Sequence, residues 1–206
     1  MQERPKPSEN QRRLYQLAEG QGGYFTARQA EALAYSANKR NYHVRAGNWI
    51  REGWGIYRLA LFPQPEKPDL LLWWLWSRDR SGHPLGVYSH RTALSLHDIT
   101  DLMPTRIDMT VPKGFRRGAP IPSVLQLHYA YLSVEEIERI NGVPATTVLR
   151  AICDLWQSRE VSHDVLRSAL AEGSRRGKIT RKQIQAASRN PEWKEAITTL
   201  KQGRTA

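Results

Sequence analysis

Ser36-Ala-Asn-Lys-Arg-Asn-Tyr-His-Val-Arg45 runs into Gly47-Asn-Trp-Ile-Arg-Glu-Gly-Trp-Gly-Ile-Tyr-Arg-Leu59. Ser36 is an N-cap residue, and Gly47 stops a helix of about Ala37 to Ala46. The period then changes. Asn48 to Arg51 reads as a strand, Glu52-Gly53 as a turn and Gly55 to Leu59 as a second strand. Upstream, Thr26 caps a helix to about Leu33 with Ala27, Ala30 and Leu33 as its apolar stripe, and Tyr24-Phe25 is a short apolar step. Before that, Leu14, Leu17 and Ala18 mark a helix from about Glu9 to Glu19, ended by Gly20, Gly22 and Gly23. Residues 1–8, with two prolines and no apolar pattern, read as disordered.

Helix, helix, basic helix and ribbon within about 50 residues is the order of a winged helix-turn-helix. The fold expected is helix-rich α+β, with this module at residues 9–62. The third helix is then the recognition helix. Ala37 and Val44 are read as its inward residues, which leaves a polar, basic face. Asn pairs bidentately with adenine and Arg or Lys with guanine, and any of them holds phosphate. At 3.6 residues per turn Asn38, Tyr42 and Arg45 share one face, with Lys39 and His43 beside it. The expected DNA-contacting set is Arg28, Ser36, Asn38, Lys39, Arg40, Tyr42, His43 and Arg45, with Arg51 and Arg58 from the wing. The tip at Glu52-Gly53-Trp54 is a candidate for a minor groove or the backbone, although Glu52 opposes it. Any solvated helix carries polar residues; the order of elements is what favours DNA.

Phe62 to Pro68 holds three prolines in seven residues and reads as an extended linker. A second, mixed α/β domain is expected over 69–206. It opens with a Leu/Trp helix to about Arg78, capped by Asp69. Further helices read at His90–His97, Pro144–Gln157, Ser162–Gly173, Thr180–Ser188 and Pro191–Lys201. Arg106–Val111 and Val124–Leu132 alternate as half-buried strands, and Ser133 to Glu136 forms a capping box.

The net charge of +11 is unevenly spread. Residues 1–62 hold 10 Lys/Arg against 5 Asp/Glu, 63–172 hold 12 against 13, and 173–206 hold 9 against 2. Two basic ends around a neutral middle favour a polyanion, nucleic acid first. The second basic surface centres on Arg175, Arg176, Lys178, Arg181 and Lys182. It reads equally as a DNA-phosphate surface and as a solvated face. The longest apolar run, Leu70 to Trp76, is far short of a membrane span. The start, Met1 to Pro7, has no apolar signal core, and one cysteine, Cys153, forms no internal disulfide; a cytoplasmic protein is expected.

Six histidines show no metal-ligand spacing, and His90 and His97 read as a packing and hydrogen-bonding pair. Cys153 reads as a buried structural thiol, and Arg150 and Asp154 as an i,i+4 ion pair. Glu192-Trp-Lys194 matches a nuclease triplet but sits at a helix start close to the last residue. No Gly-rich phosphate loop precedes a helix. Neither enzyme activity, metal nor cofactor is expected.

Thr26-Ala-Arg-Gln-Ala, the basic helix after Ser36 and Gly53-Trp-Gly-Ile-Tyr-Arg58 resemble the N-terminal winged helix of AbiEi-family antitoxins. Tyr88-Ser-His-Arg-Thr-Ala-Leu-Ser-Leu-His97 and Arg106-Ile-Asp-Met-Thr-Val-Pro112 resemble that family's following segments, as does Gly142-Val-Pro-Ala-Thr-Thr-Val-Leu-Arg-Ala-Ile-Cys-Asp-Leu155. The resemblance covers about residues 10–160. It implies the antitoxin of a type IV toxin–antitoxin pair in a bacterium or archaeon. Such a protein binds operator repeats, represses its operon and counteracts a nucleotidyltransferase-like toxin without a stable complex. A monomer in solution that binds DNA cooperatively fits that role. The rival expectation is a winged-helix regulator whose second domain senses a small molecule in a Trp-lined pocket, without a toxin partner.

Overall fold

The computed structural model describes residues 8–63, 67–100, 105–118 and 120–202. The expected disorder at 1–7 and the middle of the expected linker, 64–66, lie outside them. The chain is α+β with two sheets, and it divides into two compact units, residues 1–85 and 86–206.

In the first unit, α1 (Glu9–Glu19) starts at Ser8, whose hydroxyl accepts the Gln11 N–H. β1 (Tyr24–Thr26) leads into α2 (Ala27–Ala32), where Thr26 and Gln29 close a reciprocal capping box. α3 (Ala37–Arg45) follows a short turn, and then come β2 (Trp49–Gly53) and β3 (Ile56–Leu59). The three strands form one antiparallel sheet in the order β1-β3-β2. Tyr24 lies opposite Arg58, and Arg51 opposite Tyr57. The ribbon therefore has a third strand where the sequence shows only a short apolar step. Leu14, Ala18, Phe25, Ala30, Tyr35, Trp49 and Tyr57 form the core. Phe25 meets Trp49 edge-on at 4.8 Å and stacks on Tyr57 at 5.8 Å. Gly23, at φ +88°, is required here, because a Cβ would sit 2.7 Å from the Phe62 ring.

α4 (Pro68–Trp76) packs on β1 and β3 and belongs to the first unit. The sequence boundary at residues 62–69 thus differs from the division after Leu85. Asp69 is not the cap of α4. Lys67 occupies that position without a side-chain bond, Pro68 opens the helix, and Asp69 lies in the first turn.

In the second unit, β4 (Val87–Tyr88), α5 (His90–Leu96), β5 (Ile107–Val111) and β6 (Leu125–Tyr129) precede a 3₁₀ turn, Val134–Glu136. β7 (Ile137–Ile140) and β8 (Val143–Thr146) follow, then α6 (Val148–Ser158), α7 (His163–Arg175), α8 (Arg181–Ala187) and α9 (Pro191–Gln202). The sheet order is β6-β5-β4-β8-β7. β4 pairs antiparallel with β5 and parallel with β8; β5 and β6 are parallel; β7 and β8 form a hairpin. The helix expected from Pro144 begins only at Val148, capped by Thr147, because residues 143–146 are held in the hairpin. Buried apolar residues of α5, α6, α7 and α9 form this unit's core.

Candidate nucleic-acid interface

α3 buries none of its residues. The Ser36 hydroxyl accepts the Lys39 N–H at 3.4 Å, as an N-cap should. Two cations of the expected set fold back on the turn before the helix. Lys39 Nζ donates to the Ala34 carbonyl at 3.2 Å, and an Arg40 guanidinium N–H donates to the Tyr35 carbonyl at 2.7 Å. His43 stacks on Trp49 at 4.4 Å, meets Tyr35 edge-on and lies 3.2 Å from the Asn48 amide. Burial lowers its pKa, so the neutral ring is favoured. His43 fastens α3 to the sheet and is not a groove-facing residue. Ala37 is exposed rather than inward, and His43 with Val44 faces the core instead.

Asn38, Tyr42 and Arg45 remain as an outward stripe, joined by Asn41. All four are exposed, Tyr42 at 66%. Among the described residues, no hydrogen bond or ion pair ties the side chains of Asn38, Tyr42 or Arg45. Their spacing of three to four residues keeps them on one helix face.

The ribbon separates its two arginines by strand parity. Opposite residues of an antiparallel pair project to the same face, and neighbours along a strand to opposite faces. Arg58 is opposite Ile50, one residue from Arg51, so Arg51 and Arg58 point apart. Arg51 is exposed. Arg58 is 13% exposed, bonded to Glu52 at 2.9 Å and placed over the Tyr24 ring. It is held within the unit and does not face a ligand, contrary to the expectation. Glu52 is absorbed by the same pair. The hairpin tip is also engaged. Trp54 takes a left-handed backbone (φ +50°), packs edge-on against Trp73 of α4 at 5.0 Å and accepts an Arg78 N–H at 2.6 Å on its carbonyl. The side chain of Arg28, from α2, donates to the Arg80 carbonyl.

The second basic surface is only partly available. Arg175 and Arg176 both bond Glu172, and they hold its carboxyl down at about 2. Lys178, Arg181 and Lys182 are exposed, as is Arg189 further along the same basic tail.

The motif residues of the second unit converge on a buried polar cluster. The Thr110 hydroxyl donates to Ser89 Oγ at 2.8 Å, and Ser89 Oγ lies 3.0 Å from His90 Nδ1. The His90 ring stacks on His128 at 3.6 Å, and His128 Nε2 is 2.9 Å from the Asp108 carboxylate. Burial first, and then His128, pushes His90 down to about 3. His97 instead pairs with the Thr146 carbonyl at 2.9 Å. His90 and His97 are thus both buried and hydrogen-bonded, as expected, each to its own partner. Arg150 makes the expected bond to Asp154 at 2.8 Å and adds Glu136 at 2.8 Å. Cys153 is fully buried, and burial raises its thiol to about 12. Glu192 accepts a hydrogen bond from Gln157. Nearby, a groove of about 630 Å³ is lined by Arg150, Lys182, Arg189, Glu135 and Trp193, among others. Among the described residues no three His, Cys, Asp or Glu side chains gather closely enough to hold a metal ion.

No family model and no curated protein matches the chain. Among solved structures, the RV2827C protein from Mycobacterium tuberculosis is similar at 14% identity, over 95% of this chain and 81% of that chain, with a TM-score of 0.47.

Proposed function

We propose that the chain is a DNA-binding transcriptional repressor and the antitoxin of a type IV toxin–antitoxin operon. Its first unit is read as a winged helix that presents α3 to the major groove of double-stranded operator DNA. The observation carrying this reading is the outward stripe Asn38, Tyr42 and Arg45, with Arg51 exposed on the adjoining ribbon. Among the described residues, their side chains are a set of base-edge and phosphate donors not tied by a hydrogen bond or ion pair, on a helix none of whose residues is fully buried. Lys178, Arg181 and Lys182 add sequence-independent phosphate contacts. The antitoxin half rests on the resemblance. Its support is that Ser89, His90, Thr92, His97, Arg150 and Asp154, from separate motifs, all enter the buried polar bonding of one unit. The protein works by binding rather than catalysis, without a metal or cofactor, in the cytoplasm of a bacterium or archaeon.

The test is fluorescence anisotropy of the full chain on the duplex upstream of its own gene, against a scrambled duplex at equal salt. Equal affinity for both overturns the repressor reading. Where a nucleotidyltransferase-like gene adjoins, rescue of growth on co-expression with its product tests the antitoxin half separately, and failure to rescue overturns that half. The groove beside Arg150 and Trp193 supports a second reading, a regulator that senses a small molecule. A metabolite that raises the melting temperature and releases the promoter duplex, where no toxin gene adjoins, favours it.

A further inference from the structure

Sheet edges are normally guarded by charge, because an open strand presents unpaired N–H and C=O groups to any other strand. The five-stranded sheet guards one edge and leaves the other open. β7 carries exposed Glu138 and Arg139. β6, at the opposite edge, pairs only with β5 among the described residues. From Gly118 to Val134, 17 residues contain no Lys, Arg, Asp or Glu, although a quarter of the chain is charged.

The register shows what this edge offers. The Val124 carbonyl accepts the Ile107 N–H, and the Ala130 N–H donates to the Val111 carbonyl. In a strand of period two, the even-numbered residues 124–130 therefore turn their backbone groups toward β5. Leu125, Leu127 and Tyr129 turn theirs outward. Among the described residues only the Leu125 N–H is used, by the Pro122 carbonyl. The large exposed apolar side chains of the second unit fall on this same stretch: Ile121 at 50%, Tyr129 at 47%, and Tyr131 and Val134 at 83%.

We infer that β6 is a self-association edge, at which two copies of this chain pair antiparallel about a twofold axis. Charge selects this occupant. The chain is strongly basic, so a partner recruited by charge would meet Lys and Arg, and β6 itself carries none, Arg106 reaching only its Gln126 side chain. A neutral strand with Leu and Tyr side chains is complemented by the same strand run in the opposite direction, with no like charges brought together. A dyad at Leu127 sets that residue against its own copy and Tyr129 of one copy against Leu125 of the other. That is the isologous pattern of a C2 contact. One strand and a few exposed side chains form a smaller patch than a permanent dimer uses, so the pairing is reversible and concentration-dependent. The inference stands on the second unit alone and does not rest on DNA binding.

Sedimentation equilibrium of the full chain without DNA, over a concentration series, tests it. The 23.7 kDa chain is expected to pass from monomer to dimer as concentration rises. Tyr129→Lys combined with Tyr131→Lys raises the dimer dissociation constant about tenfold or more, while Tyr15→Lys in the first unit leaves it unchanged. Circular dichroism identifies an edge variant that has merely unfolded. Leu127→Cys provides the second arm. Residues sharing an antiparallel hydrogen-bonded pair have Cα atoms about 5.5 Å apart, within disulfide reach, so mild oxidation links two chains. A single monomer mass at every concentration, a dimer indifferent to the lysines, or failure of Leu127→Cys to cross-link each overturns the inference. Promoter affinity is measured separately, so its loss leaves the dimer result standing.

Discussion

Arg51 and Arg58 occupy one ribbon, and the pleat gives them different work. Arg58 sits among Glu52 and Tyr24, so its removal strands a half-buried carboxylate. Arg58→Ala is expected to cost roughly 1–2 kcal/mol in urea unfolding with little change in DNA affinity per folded molecule. Arg51→Ala and Arg45→Ala behave the other way, with stability held and operator binding weakened by roughly 1–3 kcal/mol for a base-reading contact. Anisotropy and unfolding on the same preparations separate the two classes. Arg58→Ala weakening binding at unchanged stability would contradict the assignment. The candidate interface was half legible in the sequence for this reason. Composition marks Lys39, Arg40, His43 and Arg58 as DNA-binding types, but the carbonyls of Ala34 and Tyr35, the Trp49 ring and the Glu52 carboxylate that claim them come into place only once the chain folds. His90 carries a pH prediction. Folded, it stays neutral down to about 3, with His128, Asp108, Arg150 and Arg91 as its charged or titratable neighbours. An unfolded His takes up its proton near 6.5. Between these values the unfolded chain holds more protons, so stability falls as pH is lowered through that window. At pH 5 the His90 contribution to the loss is on the order of 2 kcal/mol. His90→Asn keeps a residue tolerant of φ +51° and flattens this slope. An equally steep acid limb in the variant would sink the attribution.

At the scale of elements, caps and breakers made the first unit readable. Thr26, Ser36 and Gly47 bracket α2 and α3 with the bonds their side chains and backbone are suited to make. β1 was not legible, because three residues are too few to show a period and the strand exists through its pairing with β3. The β7–β8 hairpin carried a usable signal. Asn141 and Gly142, at φ +50° and +81°, form the Asn-Gly turn that joins two strands. The apolar stretch from Val143 to Leu155 fits either period and hides the strand within an apparent helix. α4 was opaque for a different reason. Leu70, Leu71, Leu72, Trp73, Leu75 and Trp76 are all buried, so the helix has no polar face to show which side meets a neighbour. Its contact with β1 and β3 yields a prediction about boundaries. A fragment of residues 8–85 unfolds in one cooperative urea transition, whereas one ending at Phe62 leaves Trp54 without Trp73 and unfolds at markedly lower urea. In the full chain, Trp73→Ala costs about 3–5 kcal/mol. Equal midpoints for the two fragments would return α4 to the second unit.

At the scale of the whole molecule, net charge overstates what a polyanion meets. Arg58, Arg150, Arg175 and Arg176 are spent on Glu52, on Asp154 with Glu136, and on Glu172. Two groups among the remaining exposed cations bear on the proposed DNA contact. Arg45 shares an exposed helix face with Asn38 and Tyr42, and Arg51 is exposed on the adjoining ribbon, the set proposed to read base edges. Lys178, Arg181 and Lys182 belong to the second unit, on an exposed basic segment, where charge suits them to phosphates. Binding each phosphate releases counterions, which makes the logarithm of affinity fall with the logarithm of salt by about 0.9 per phosphate neutralised. Replacing Lys178, Arg181 and Lys182 by Gln should therefore lower affinity by a similar factor for operator and scrambled duplex, and make the salt slope shallower by about one unit for each phosphate no longer held. Arg45→Ala should instead narrow the difference between operator and scrambled duplex. Salt titrations of the three proteins on both duplexes distinguish these outcomes. An unchanged slope in the Gln variant would mean that the basic end of the chain faces solvent, and that the first unit carries the DNA affinity by itself.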